Sequence, residues 1–548
     1  MLNKKSLFSI QKILFSVIIF CVFSCANQQP PHGGPKDVTP PRLLKATPQN
    51  MSRHFNSKTV ELDFDEYFKL PNAFTEITMS PTPDKQPEYK VKPKKLLITF
   101  KDTLEKNTTY VINFGKAIQD VNEGNTLLNF TYVFSTGAHI DSLSVSGTVI
   151  NSLSQKREKD ITVMLFPADK DSIYFGKKKP AIYATTDTAG NFSMNNLHEG
   201  VYTIYALKET APNKIYDKED ELIAFLKKPI RLYSDTSDIQ LTMFKQDPAK
   251  FALVPGGKKF DYDGKMIFYF NKPLDNPSLK IIYPPALDAQ KLVEFSKTRD
   301  TAYLYSRNMD FDSIRVAILD NGKPLDSVSL DKGKKETFKQ DYTFSLNLSS
   351  GYLLKPTSNL VITAGLPIDS YDESLITLTE DSVTVNTAIT RDTTNPRKLI
   401  LKYHWKPDAK YALIIDDNAV TDVFGVKNKR YYKKFQVDKE DNYSSLTLNV
   451  TVPDTSKSYI VEFYVDPKFP LARNEIRKNT TLTYKNFITG KYNIRVIYDD
   501  NRNGKWDTGN VKKKEYPENI WIDPIQITLR PNFDEEDKLD IPREQVAP

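Results

Sequence analysis

The sequence predicts an all-β chain, a tandem array of antiparallel β-sandwich domains. Aromatic residues make up 11% of the 548 residues, with 29 Tyr and 31 Phe, and these side chains fit the pleated, half-buried surface of a strand. The 34 Pro against 20 Gly suggest many short connections between strands. Apolar residues also recur with period two. Tyr110, Ile112 and Phe114 fall on one face of a run, and Phe130, Tyr132 and Phe134 on one face of the next. The length corresponds to three to five domains at roughly 100–200 residues each. Hydrophobic residues at 39% against 26% charged are enough to build packed cores.

The same composition excludes several function classes. Lys and Arg total 76 and Asp and Glu 69, so the net charge is 76 − 69 = +7. The lysines are spread along the whole chain, as on a solvated surface, and no nucleic-acid partner is expected. The five histidines (His32, His54, His139, His198, His404) lie in different modules, away from metal spacing. No Gly-x-Ser-x-Gly, Walker loop or His-Glu-x-x-His occurs, so no enzyme is expected.

At the N-terminus, Lys4, Lys5 and Lys12 precede an apolar run of 11 residues, 13–23 (ILFSVIIFCVF). That is the size of a secretory h-region and too short for the roughly 20 residues that span a bilayer. The run ends in Val22-Phe23-Ser24-Cys25, which resembles a bacterial lipobox, although Phe23 is looser than the strictest form. The resemblance implies a signal peptide over 1–24 and a diacylated Cys25. Cysteine usage agrees: the other cysteine, Cys21, lies in the segment removed, so no intramolecular disulfide is possible after cleavage. Removing three lysines leaves 7 − 3 = +4, so anchoring rests on lipid rather than on charge. Residues 25–40 (CANQQPPHGGPKDVTP) read as a flexible tether.

Residues 41–138 carry the first strands, with 95–100 (KLLITF) preceding the two alternating runs. The motifs Asp37-Val38-Thr39-Pro40-Pro41, Leu62-Asp63-Phe64-Asp65-Glu66-Tyr67, Asn107-Thr108-Thr109-Tyr110 and Asp120-Val121-Asn122-Glu123-Gly124-Asn125 resemble the SbsA-type bacterial Ig-like domain of Bacteroidota lipoproteins. The resemblance implies an Ig-like sandwich in a cell-envelope lipoprotein and no enzymatic activity. Residues 139–245 change character. Thr186-Asp187-Thr188-Ala189-Gly190-Asn191-Phe192, followed by Gly200-Val201-Tyr202, resembles the carboxypeptidase-regulatory or prealbumin-like β-sandwich. Its turn needs Asp187 to bond its own backbone and Gly190 to take a positive φ.

Both modules recur. Residues 397–403 (RKLILKY) align with 94–100, 408–415 (DAKYALII) with the strand after Lys106, 419–425 (AVTDVFG) with 117–124, and 487–494 (FITGKYNI) with 197–204. The expected order is therefore an Ig-like domain (41–138), a prealbumin-like domain (139–245), a β-sandwich of unassigned type (246–345), a second, divergent Ig-like domain (346–437), a second prealbumin-like domain (438–530), and an acidic C-terminal tail (531–548). Residues 288–297 are read as a helical turn or two.

The sharpest candidate site is residues 499–510 (DDNRNGKWDTGN). Asp499, Asn501, Asn503 and Asp507 stand at positions 1, 3, 5 and 9 with Gly504 at position 6, the spacing of a tight Ca²⁺ loop. Asn510 replaces the bidentate Glu, so a Ca²⁺ site here would be weak, on the order of 0.1–1 mM. The reading favoured is an Asn-Gly turn with Trp506 packing beneath it. Its counterpart at 209–220 has lost the Asn-x-Asn-Gly core, so at most one site is expected. Asp63, Asp65 and Glu66 are read as a solvated strand face, with Leu62, Phe64 and Tyr67 turned to the core, rather than as an acid–base pair.

Two functions remain. The favoured one is a non-catalytic lipoprotein on the outer membrane, its periplasmic side slightly preferred, serving as a scaffold or accessory subunit for an envelope protein partner. The alternative is a glycan- or peptidoglycan-binding adhesive protein.

Overall fold

The computed structural model describes residues 36–218, 220–333, 338, 342–407, 409–467 and 469–544. The expected signal peptide, Cys25 and the start of the expected tether lie outside the described residues. Strands dominate, and no helix among the described residues is long and apolar enough to cross a membrane. The chain is an all-β array of sheets packed as sandwiches. It forms two compact units. One comprises the residues to Leu143 with Ala181–Thr185 and Asn195–His198; the other comprises Ser144–Pro180, Thr186–Met194 and the chain from Glu199 onward.

In the first unit, period-two alternation becomes two facing sheets. One orders Leu43–Thr47, Thr59–Phe64, Lys95–Thr99 and Glu88–Lys92; the other orders Thr78–Ser80, Thr109–Asn113 and Thr131–Ser135, all antiparallel. Every second side chain enters the core, among them Leu62, Phe64, Leu96, Ile98, Tyr110, Ile112, Tyr132 and Phe134. Phe134 stacks on Tyr110 at 5.4 Å and lies 4.0 Å from the Phe55 ring. Tyr67 departs from expectation: it is 60% exposed, and Phe68 is the buried aromatic. Strand pairing of Phe68–Lys69 with Gln119–Asp120 turns Phe68 inward beside Phe64.

The second unit repeats this arrangement in residues 344–437. Phe344–Leu346, Leu360–Ala364, Lys398–Lys402 and Ala388–Arg391 form the four-stranded sheet, and Ile376–Glu380, Lys410–Ile415 and Tyr431–Val437 the facing one. Phe344 and Tyr342 pack on this core, so the module takes in residues just before 346.

A second strand pattern also recurs. Thr162–Pro167, Gly200–Lys208 and Leu222–Phe225 pair in that order in residues 144–245, as do Ser458–Tyr464, Gly490–Asp499 and Ile520–Ile522 in the last module. Each module closes with its last strand parallel to its first: Thr236–Lys245 on Leu143–Asn151, and Asp534–Asp540 on Tyr443–Thr451. The second pairing corrects the acidic tail expected over 531–548. Main-chain bonds hold Asp534–Asp540 in the sheet, and Leu539 and Ile541 enter the core while the acidic residues of the strand line an edge.

Residues 251–331 form a further pair of sheets around Met266, Phe268, Ile281, Leu304 and Val316. The expected helical turn appears earlier and shorter, as a 3₁₀ turn at Pro285–Gln290, and Lys291–Phe295 is a strand.

Candidate functional site

The acidic turns singled out in the sequence are spent largely on their own backbone. Asp120 accepts the N–H groups of Glu123 (2.6 Å), Gly124 (2.9 Å) and Asn125 (2.8 Å), with Gly124 at φ 78°. Burial pushes its carboxyl up, but these three bonds outweigh it and hold the group below the ordinary value. The equivalent Asp422 accepts Phe424 and Val426 N–H at 2.9 Å each, leaving Oδ2 without a partner; here burial wins and the carboxyl is raised. Asp187 accepts from Asn191 (2.8 Å) and Ala189 (2.9 Å), and Gly190 takes φ 75°, the turn its sequence requires. Asp63 pairs with Lys95 at 3.1 Å, and Asp65 accepts the Arg42 N–H at 2.8 Å.

The loop after the strand Gly490–Asp499 is the most organised of these features. Asp499, 2% exposed, accepts the N–H of Asn503 on Oδ1 (3.0 Å) and of Gly504 on Oδ2 (3.1 Å). The Asn501 and Asn503 side-chain amides both donate to Asp507 Oδ2, the latter at 2.7 Å. Trp506 packs on Ile460, Ile497 and Ile520 and donates from Nε1 to the Glu518 carbonyl at 2.9 Å.

Glu518, which the sequence reading missed, sits under the loop. Its two oxygens accept the Asp500 and Asp507 N–H groups at 2.9 Å each. Its only sequence signal is its place just ahead of the strand Ile520–Ile522. Burial pushes its carboxyl up to about 7 despite those two bonds, and the Asp507 and Asp499 charges add to the rise. No group of three or more His, Cys, Asp and Glu side chains among the described residues is arranged to hold a metal ion.

Beyond Asp507 the loop fastens two modules together within the second unit. Lys514 Nζ donates to Tyr205 Oη at 2.5 Å and lies over the Tyr205 and Phe225 rings. Tyr516 stacks on Phe225 at 5.3 Å and accepts the Lys227 N–H at 3.0 Å. Val511 N–H donates to Gln246 Oε1 at 2.8 Å. Modules roughly 300 residues apart in sequence thus touch, which a string of domains meeting only their chain neighbours would not produce.

Two expectations follow. Gly504 has φ 71°, and a Cβ there would run into the Glu475 carboxylate. Gly504→Val should therefore cost about 1–3 kcal/mol. Asp507→Ala, which removes exposed hydrogen bonds, should cost under about 1 kcal/mol. Urea unfolding under chelator checks the order, and a larger cost for Asp507→Ala would contradict a turn-forming role.

The second concerns pH. In the folded state Glu518 keeps a proton that an unfolded chain with an ordinary value of 4.5 releases. Its stabilising contribution is complete below pH 4.5 and is lost as pH rises through about 7, of the order of 3 kcal/mol in all. Wild type should therefore lose stability relative to Glu518→Gln between about pH 5 and pH 7.5. Parallel pH profiles would contradict the assignment.

Comparison with known proteins agrees with the first unit. Residues 37–136 match the family model described as a bacterial Ig-like domain. No curated protein matches the chain. Among solved structures, the chain is similar to the major pilin subunit of Bacillus cereus, with 10% identity over 73% of this chain and 99% of that one, at a TM-score of 0.13. It is also similar to the Bacillus anthracis TIE protein, with 11% identity over 93% and 75% and a TM-score of 0.15. The S-layer protein SbsC matches with 10% identity over 86% and 67% and a TM-score of 0.14. At these scores the structural likenesses carry no argument about function. The family match does identify part of the chain: residues 37–136 are a bacterial Ig-like domain.

Proposed function

We propose that the chain is a non-catalytic envelope lipoprotein of the SbsA-type Ig-like kind known from Bacteroidota. Cys25 anchors it to the outer membrane, with the periplasmic side favoured, and its β-sandwich array serves as a scaffold or accessory subunit for a protein partner. The observation that supports this most directly is an exposed apolar patch on the last module. Val465, Phe469, Leu471 and Ile488 are 54–65% exposed and surround a cavity of about 530 Å³. Contiguous exposed apolar surface of this kind favours contact with a protein over solvent.

A second reading, glycan or peptidoglycan binding, has one observation in its favour. A polar cavity of about 220 Å³ is lined by Asn486, Asn532, Asp534, Tyr443 and the exposed Phe533, an aromatic face beside hydrogen-bonding groups. Sedimentation with purified sacculi separates the two readings. The scaffold stays in the supernatant at physiological salt, whereas co-sedimentation lost in Phe533→Ala would replace the first reading with the second.

A further inference from the structure

The loop at 209–221, which lost its Asn-Gly core, keeps the frame of the loop at 499–518. Glu209 Oε1 accepts the N–H groups of Asn213 (2.6 Å) and Lys214 (2.5 Å), as Asp499 accepts those of Asn503 and Gly504. The Asn213 amide donates to Asp217 Oδ2 at 2.9 Å, as Asn503 does to Asp507. Lys214 takes φ 61° where Gly504 takes 71°. Glu221, just ahead of the strand Leu222–Phe225, stands where Glu518 stands.

The two loops differ in how the buried glutamate is bonded. Both oxygens of Glu518 are occupied by backbone N–H groups. At Glu221 the Asp217 and Lys218 N–H groups converge on Oε2, at 3.2 Å each, and Oε1 has no hydrogen-bond partner. Glu221 is only 1% exposed, so bulk water does not satisfy that oxygen. After burial and these two bonds, the strongest influences on it are the Asp217 and Glu209 carboxylates, which act against its charge. A buried carboxylate oxygen with no donor, facing further negative charge, is relieved by a cation.

We propose that the unpartnered Glu221 oxygen and the neighbouring Asp217 carboxylate form a site for a hard divalent cation of the Ca²⁺ type. The donors are all oxygen, which excludes a thiolate- or imidazole-seeking metal. Two carboxylates leave the rest of the shell to carbonyl groups and water, the composition of a weak extracellular site with a dissociation constant of about 0.1–1 mM. Asp217 is exposed, so the site opens to solvent at that residue. The occupants competing with a cation are a proton on Glu221 or a single water.

The full chain, stripped with chelator and held at about pH 7.5, should bind Tb³⁺ with tyrosine-sensitised emission, displaced by Ca²⁺ at about 0.1–1 mM. Glu221→Gln should bind one ion fewer per chain, and Asp217→Asn should need about tenfold more Ca²⁺ for the same effect. The exposed Asp217→Asn variant keeps the test valid if Glu221→Gln folds poorly. Without metal, Glu221→Gln should melt no lower than wild type, because a neutral amide replaces a buried charge. Equal ion uptake by wild type and Glu221→Gln would overturn the proposal. So would the absence of any uptake by wild type, which would assign Oε1 to a proton or a water.

Discussion

Cys25→Ser is expected to move the protein from the membrane fraction to the soluble fraction, or to leave it unprocessed with residues 1–24 attached. The expected effect is nearly complete because no other feature is proposed to hold the chain on the membrane. The mature charge of +4 is small for the size, and no helix among the described residues is long and apolar enough to cross. Each buried methylene of an acyl chain contributes about 0.8 kcal/mol, so two or more chains on one cysteine give stable attachment and their loss removes it. Cys21→Ser should change little, since Cys21 only adds apolar character to the h-region. Fractionation with intact-mass measurement checks both variants. A Cys25→Ser protein processed and fractionated like wild type would end the lipoprotein reading.

Glu462→Ala is expected to destabilise the last module by about 3–5 kcal/mol. Glu462 and Arg495 face each other across the strands Ser458–Tyr464 and Gly490–Asp499, with Nε to Oε2 at 2.5 Å and side chains only 6% and 10% exposed. The Tyr464 ring lies 5.3 Å from the guanidinium, and Arg473 reaches the other Glu462 oxygen at 3.5 Å. Removing the carboxylate leaves Arg495 buried without its main counter-charge, which costs far more than the pair contributes. Replacing both together, Glu462→Leu with Arg495→Leu, should cost much less than Glu462→Ala alone. Urea unfolding followed through Trp506 and Trp521, both in this module, reads the difference. Equal losses for the single and double variants would show that packing, not charge, sets the cost.

The strands that alternate cleanly were legible in the sequence. Lys95–Thr99 and Thr109–Asn113 bury the side chains that period two selects, and the recurrence near 397–415 reappears as the same strand order. The final strand was illegible for a physical reason. Asp534–Asp540 is held by main-chain bonds at a sheet edge, so six acidic or basic residues in seven cost it little, and only Leu539 signals the core. Tyr67 was misplaced because a strand break after Phe64 shifts the inward position to Phe68.

Within the candidate loops, local spacing revealed Asp499, Asn503 and Asp507. Glu518 and Glu221 stand just ahead of the next strand, outside any contiguous motif. Comparing the two module copies would have found them, since each has a Glu just ahead of that strand.

The central claim, a scaffold that binds a protein through its last module, is tested most directly by affinity isolation of the tagged full chain from native membranes. A Phe469→Ser, Ile488→Ser variant serves as the comparison. The account expects one protein recovered in stoichiometric amount with wild type and lost with the variant, while both chains remain folded and membrane-bound. Recovery of no stoichiometric protein, or of the same protein equally with both chains, would contradict it.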